Sequence, residues 1–434
     1  MSQKKPHKLG LITLIALVAG NMVGSGIWML PAQVAQIGSI SLLAWVVTGF
    51  GALLLAFVFA KMSILVPNKN GGPYAYARAG FGECVGFQTG CYYWIATVIG
   101  NVAVLVALMG YLRVFFPILE NPVIETSAAI AILWVLTGIN IAGVRGIGIL
   151  QLITTSIKFI PIIVISIVGW FHFHPEYITT TFNVSSKTNF SAFSYAATLT
   201  FWAFVGVESA TVPSGLVHNP EKNIPRSTLF GTLLAIFVYL FSAVVIAGMI
   251  PVKILAQSAS PFALACEMIF GHWGSLVVAA IIVIALLGTL NGWTLIVGQV
   301  SMAIAEDELF PKIFAKRNRQ DIPAIGVIIA SLIMTVLLIA VKDLNLVAQF
   351  QLLAIITATA SLITYFYTAV AEVIILRREQ RLARKNIFHL VIAILAAIYA
   401  FWAIFGSGEE VIFYIAAFIF LTIPFYALVL RKKH

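Results

Sequence analysis

The stretch Gly24-Ser25-Gly26-Ile27-Trp28 interrupts the first long apolar run of this chain, and the run closes on Pro31. A second interrupted run reads Phe201-Trp202-Ala203-Phe204-Val205-Gly206-Val207-Glu208-Ser209 and closes on Pro213. Lipid offers no partner to a backbone N–H or C=O. Irregular backbone therefore survives at membrane depth only inside protein, usually lining a cavity. Two such breaks, one early in each half of a long apolar chain, predict a substrate site at the bilayer midplane. The second break also carries Glu208, an ionisable group in an apolar run.

The composition around these breaks belongs to a membrane protein. The 434 residues are 61% hydrophobic and 10% charged, with a mean hydropathy of +1.02. An apolar helix of roughly 20 residues crosses the hydrocarbon core, and the sequence accommodates about twelve. They run over 10–32, 39–65, 84–114, 125–143, 147–171, 193–215, 228–250, 274–303, 323–341, 345–376, 386–405 and 410–430. The reading is one all-α transmembrane domain over 1–434, with little chain left for a soluble catalytic or nucleic-acid-binding domain. Lys4, Lys5 and Lys8 precede an apolar run, as in a signal peptide. That run is too long for a signal core and reads as an uncleaved first helix.

The net charge of +10 is a topology signal rather than a nucleic-acid footprint. With twelve spans and a cytoplasmic N-terminus, 21 of the 26 Lys and Arg residues fall in inner segments. Only Arg113, Lys187, Lys253 and Lys342 fall in outer loops, and Lys158 falls inside a span. This is the positive-inside pattern, and it places both termini in the cytoplasm. Cys84, Cys91 and Cys266 stand alone, and the seven histidines form no metal spacing. No disulfide framework, metal or cofactor is expected.

Spans 1 and 6 share one pattern: apolar run, Gly-containing break, short run, proline. They start about 180 residues, or five spans, apart. That distance suits a five-helix repeat used twice in inverted orientation, followed by two further spans.

Several polar or aromatic residues in the spans could carry chemistry. Glu208 reads as a proton-titrating or cation-facing group, or as a hydrogen-bond acceptor for the broken backbone of span 1. The break at Gly24, Ser25 and Gly26 frees N–H groups at a half-helix N-terminus, which attract a carboxylate. Freed carbonyls of Val205 and its neighbours can receive an ammonium, so the breaks together suit an α-amino acid. The bland alternative is close helix packing on the glycines. Trp202 and Trp293 lie in span interiors, where a ring can stack on a cation or simply pack the core. Tyr93 and Tyr365 have hydroxyls that need partners when buried. Asn101 and Thr357 could hold the polar end of a substrate or glue helices together. Lys158 lies mid-span, between Ile157 and Phe159 and shortly before Pro161, where an unpaired ammonium is costly. Glu267 and Glu372 read as interfacial residues near span ends.

At this point the chain resembles the amino acid–polyamine–organocation transporters, and within them the bacterial basic amino acid and polyamine antiporters of the arginine/agmatine type. The likeness covers nearly the whole chain. It is carried by Gly20-Asn21-Met22-Val23-Gly24-Ser25-Gly26-Ile27, by Gly71-Gly72-Pro73-Tyr74-Ala75-Tyr76-Ala77-Arg78 and by Trp202 to Ala210. His218-Asn219-Pro220-Glu221-Lys222-Asn223-Ile224-Pro225 and Gly292-Trp293-Thr294 add to it. The resemblance implies a LeuT-type fold of twelve helices with helices 1 and 6 broken, often a homodimer, in a bacterial-type inner membrane. It implies that Ser25, Gly26 and the span 6 break hold the α-carboxylate and α-amine, with Asn21, Gly24, Ala96 and Val205 also in the substrate set. It makes Trp202 an outer gate and puts Trp293 on the substrate side chain. Thr97, Asn101 and Thr357 would touch the far end of that side chain. Tyr93, Glu208 and Tyr365 would close the inner side, with Tyr74 in the gating set.

Two departures stand out. Thr97 and Thr357 replace other small residues of the arginine exchanger. Lys158 has no counterpart in those antiporters and is similar to a span 5 lysine of proton-coupled symporters, where an ammonium occupies the place of a sodium ion. The expected function is alternating-access transport of a cationic amino acid, exchanged for its decarboxylated amine, with protons as a further partner. Proton-coupled uptake of a broader amino acid set is the second reading. A polytopic membrane enzyme would need a nucleophile–base pair or a metal set at the membrane face, and the sequence offers neither.

Overall fold

A computed structural model describes residues 10–67, 72–143, 157–209, 211, 217–378 and 386–431. Among them the chain is helical: α1 (Leu11–Met22), α2 (Ser25–Ala35), α3 (Ile40–Leu65), α4 (Pro73–Phe81), α5 (Glu83–Leu112), α6 (Pro122–Ala142) and α7 (Phe159–Val168). There follow α8 (Asn189–Phe201), α9 (Pro220–Met249), α10 (Pro261–Glu306), α11 (Ala324–Val341), α12 (Leu346–Arg378), α13 (Ile387–Gly406) and α14 (Glu409–Arg431). Ten spans, α1 and α2 taken together as one, are long and apolar enough to cross a membrane. The two further expected spans, 147–171 and 193–215, overlap α7 and α8, and each includes residues outside the described set.

Local chemistry explains where the helices begin. Asn121 caps α6 by accepting from the N–H groups of Val123 and Ile124, with Pro122 at the first position, where its missing N–H costs nothing. Thr188 caps α8 through the Ser191 N–H. The His218–Pro225 motif is the entry to α9: Asn219 sits in the left-handed region at φ 47° and Pro220 opens the helix. Helix α10 bends at Gly271, whose φ of 69° only glycine adopts cheaply.

Burial separates core from periphery. In the most apolar stretch of α5, 83% of residues are buried, against 17% in α14. So α5 is surrounded by protein while α14 presents apolar side chains outward. Helix α5 packs against α10 and α12, α3 against α8 and α9, and α1 against α9. Hydroxyls and amides join the helices, as with Thr48 and Thr200 at 2.9 Å, Thr137 and Ser331 at 2.7 Å, and Asn140 donating to Asn291 at 3.0 Å. Each such bond between membrane helices contributes about 0.6 kcal/mol.

Three expectations change. The first break is shorter than the Gly24–Trp28 stretch: only Val23 and Gly24 leave the helix, and Ser25 already opens α2. Pro31 does not close the run. It lies inside α2, which continues to Ala35; one lost backbone bond does not end a helix held in packed protein. Glu372 is not interfacial either. It is 1% exposed, because α4 and α13 cover that part of α12. The second break starts after Phe201 as a single 3-10 turn over Trp202–Phe204. Pro213 lies outside the described residues.

Candidate functional site: a cavity between two helix breaks

The breaks pack against each other. A Cβ added to Gly26 would lie 3.1 Å from Ala203 Cα and 3.1 Å from Trp202 Cδ1, so only glycine lets the half-helix approach this closely. Across the same contact, Gly206 takes φ 108° and faces the Asn21 backbone. Tyr239 of α9 closes the joint: its hydroxyl lies 2.6 Å from Met22 O and 2.9 Å from Ala203 O, one carbonyl from each break. Nothing in the local sequence of α9 marks this tyrosine. Its role follows from where α9 crosses both breaks.

Beside this joint lies a cavity bounded by α1, α2, α5, α10, α12 and the second break. The space between its walls is about 510 Å³, including the part open to solvent. Asn21, Gly24, Ser25, Gly26, Ala96, Thr97, Asn101, Trp202, Val205, Trp293 and Thr357 all line it, as does Tyr93. Sequence reasoning missed Met22, Gly100, Val104, Thr289 and Ser361, which complete the lining. A signal existed for three of them. Thr289 and Ser361 are one turn from Trp293 and Thr357, and Val104 one turn from Asn101, so each shares a helix face with its neighbour.

No lining residue carries a formal charge. The polar equipment consists of backbone and neutral side chains. The first N–H groups of α2 have no partner within the helix, and no side chain caps Gly24. Ser25 Oγ, Asn101 Oδ1, Thr357 Oγ1 and Ser361 Oγ are buried without a hydrogen-bond partner. Such atoms are rare in a packed protein and mark where a ligand can bond. Trp202 packs edge-on against Phe350, ring centroids 6.0 Å apart. The half-buried Trp293 lines the cavity from α10. The arrangement suits an anionic group at the α2 N-terminus, an ammonium against carbonyls of the second break, and a cationic or polar side chain between indole rings and unpaired oxygens.

Glu208 is fully buried behind Tyr93. Tyr93 donates to its Oε1 at 2.7 Å, Tyr365 donates to its Oε2, and the Gly206 N–H lies 3.2 Å from Oε2. The carboxyl therefore secures the second break, its own, rather than the backbone of span 1. Tyr93 lines the cavity, so the carboxyl and Tyr365 stand behind one of its walls. Beyond them, Tyr74, Phe87, Val300, Ile304 and Leu309 pack around Tyr93. Tyr74 does not reach the cavity. Its hydroxyl donates to Asp307 Oδ2 at 2.8 Å, and Arg78 pairs with Asp307 Oδ1 at 2.7 Å, tying α4 to the end of α10. Burial first, then the Asp307 charge, pushes the Tyr74 phenol far above its ordinary range, which keeps it a donor.

Lys158 also lies off the cavity, 2% exposed, with Nζ donating to Gly20 O. The break explains why that carbonyl is available. In a continuous helix Gly20 O would accept from the Gly24 N–H, but Gly24 N bonds Met22 O instead, at 2.6 Å. Lys158 takes the vacated acceptor and ties the start of α7 to α1.

Residues 9–430 match the sequence profile of the amino acid permease family. The chain belongs to that family. It is 35% identical to the cadaverine/lysine antiporter of Escherichia coli (strain K12) over 432 residues, covering 98% of this chain and 95% of that protein. It is 35% identical to the putrescine transporter PotE of the same strain over 439 residues, covering 100% of both. The putrescine transporter PotE of Haemophilus influenzae is 32% identical over 428 residues, 99% of this chain and 98% of that one. This permease is thus a multi-pass membrane transporter rather than an enzyme, and the helix breaks occupy the interior of a transport protein.

Proposed function

We propose that this permease exchanges a cationic amino acid for its decarboxylated amine across a bacterial-type inner membrane by alternating access, through the cavity between the breaks. The observation that carries the reading is the wall chemistry: an uncapped α2 N-terminus, two indoles and four unpaired oxygens around a space without formal charge. A zwitterion with a cationic tail finds a partner for each charge there. The amine product lacks the carboxylate and still finds the rings and oxygens. The relatives named as a lysine/cadaverine antiporter and as putrescine transporters support this substrate class. In this reading Ser25 and Gly26 bind the carboxylate, Asn21, Gly24 and Val205 the α-amine, and Trp293 the side chain. Ala96, Thr97, Asn101 and Thr357 meet its far end. Trp202 gates one side and Tyr93, Glu208, Tyr365 and Tyr74 the other. A twelve-helix LeuT-type repeat, cytoplasmic termini and a homodimer belong to the same proposal.

The test is flux in proteoliposomes. Radiolabelled lysine or ornithine uptake should be slow into empty vesicles and rise strongly with internal cadaverine or putrescine. Equal uptake with and without internal amine would overturn exchange. The Lys158 contact with Gly20 O favours a second reading, net uptake coupled to protons, and the empty-vesicle arm under a pH gradient separates the two.

A further inference from the structure

We propose that Glu372 and His389, with Lys61 beside them, form a proton-holding site outside the substrate cavity, and that its occupancy contributes to the pH dependence of transport. Glu372 projects from α12 and is 1% exposed, yet neither carboxyl oxygen has a hydrogen-bond donor. His389, near the start of α13, places Nδ1 4.0 Å from Glu372 Oε1, and that nitrogen also lacks a partner. Lys61 of α3 lies close enough for its charge to act on both groups, but its ammonium donates to Asn386 Oδ1 at 3.3 Å, not to Glu372. Among the described residues, the other charges near this junction are engaged or exposed. Arg78 of α4 is held by Asp307 and Glu83, and Arg377 and Arg378 of α12 are exposed.

A buried carboxylate without donors is expensive, so the pair is satisfied by holding one proton. The proton sits either on the carboxyl beside a neutral imidazole or on an imidazolium facing the carboxylate. A second proton would set an imidazolium beside Lys61 with no counter-charge. Loss of the first leaves Lys61 as the only nearby cation among the described residues, drawn from Asn386 towards Glu372. The proton therefore selects the partner of Lys61, and with it the joint between α3, α12 and α13. Two of these helices meet at Tyr365, a residue of the proposed gate. Phe59, two residues before Lys61, packs edge-on against Tyr365 at 5.0 Å. Tyr365 lies two turns before Glu372 on α12.

Infrared difference spectra of the purified protein in lipid, recorded across a pH step without substrate, read the proton directly. The expected result is a carboxylic-acid carbonyl band that persists in Glu208→Gln and is lost in Glu372→Gln. In proteoliposomes at equal internal and external pH, lysine/cadaverine exchange by Glu372→Gln, and by His389→Gln should the first variant fold poorly, should keep the half-saturation of wild type and lose part of its pH response. A band unchanged in Glu372→Gln, or a pH profile identical to wild type in both variants, would overturn the proposal. The infrared arm uses no substrate, so its outcome is independent of the exchange reading.

Discussion

Single side chains around the cavity have separable jobs. Trp293 lines the cavity, whereas the Trp202 ring is already packed edge-on with Phe350, so Trp293 is the freer partner for a cation. Trp293→Ala should weaken substrate binding by roughly 1–2 kcal/mol, with Trp293→Phe recovering part of it. Titration of bound radioligand measures this, and unchanged affinity in the folded alanine variant would return Trp293 to core packing. Glu208 joins the second break to α5 and α12 through Tyr93 and Tyr365. Glu208→Gln keeps the shape and can accept from only one tyrosine. Transport should fall sharply and become less sensitive to pH while expression holds. Wild-type rates with an unaltered pH profile would refute a gating or coupling role. Most of these residues were legible as candidates because a polar or large aromatic group in a lipid-length run costs free energy and invites a reason. Glu372 was misread because its burial depends on α4 and α13, which its own sequence neighbourhood does not mention.

At the scale of elements, the half-helices act through each other. The contact between Gly26 and Ala203 is backbone to backbone, so an added methyl has nowhere to go. Gly26→Ala should part the breaks and cost about 1–3 kcal/mol as overpacking does, seen as a lower thermal midpoint and weaker substrate binding with helix content retained. An alanine variant that binds and melts like wild type would show that the close approach is dispensable. The breaks could be located from glycine spacing, but their limits could not. Whether Val23 or Trp28 leaves the helix, and whether Pro31 ends it, depends on packed neighbours that hold the backbone in place.

For the whole molecule, the question is what drives the cycle. Lys158 fixes α7 to the carbonyl of Gly20 that the first break releases. An ammonium at that point can replace a bound cation, and losing its proton would release the tie. Transport should therefore need no sodium and respond to a pH gradient, and Lys158→Ala should lose net uptake more than exchange. Sodium-dependent flux, or full net uptake by the variant, would sink this coupling.

The sequence by itself determined that the chain is an all-helical membrane protein, that its helices are interrupted at two places, and that Glu208 and Lys158 lie in apolar surroundings. These follow from hydropathy and backbone chemistry, which act over one or two turns. The tertiary structure decided what each buried polar group bonds to. Tyr93 and Tyr365 reach Glu208 across 115 and 157 residues of chain, Tyr239 reaches both breaks, and Lys158 reaches a carbonyl 138 residues away. The cost of burying a polar group is local, whereas the partner that offsets it is whichever group the packing of distant helices delivers.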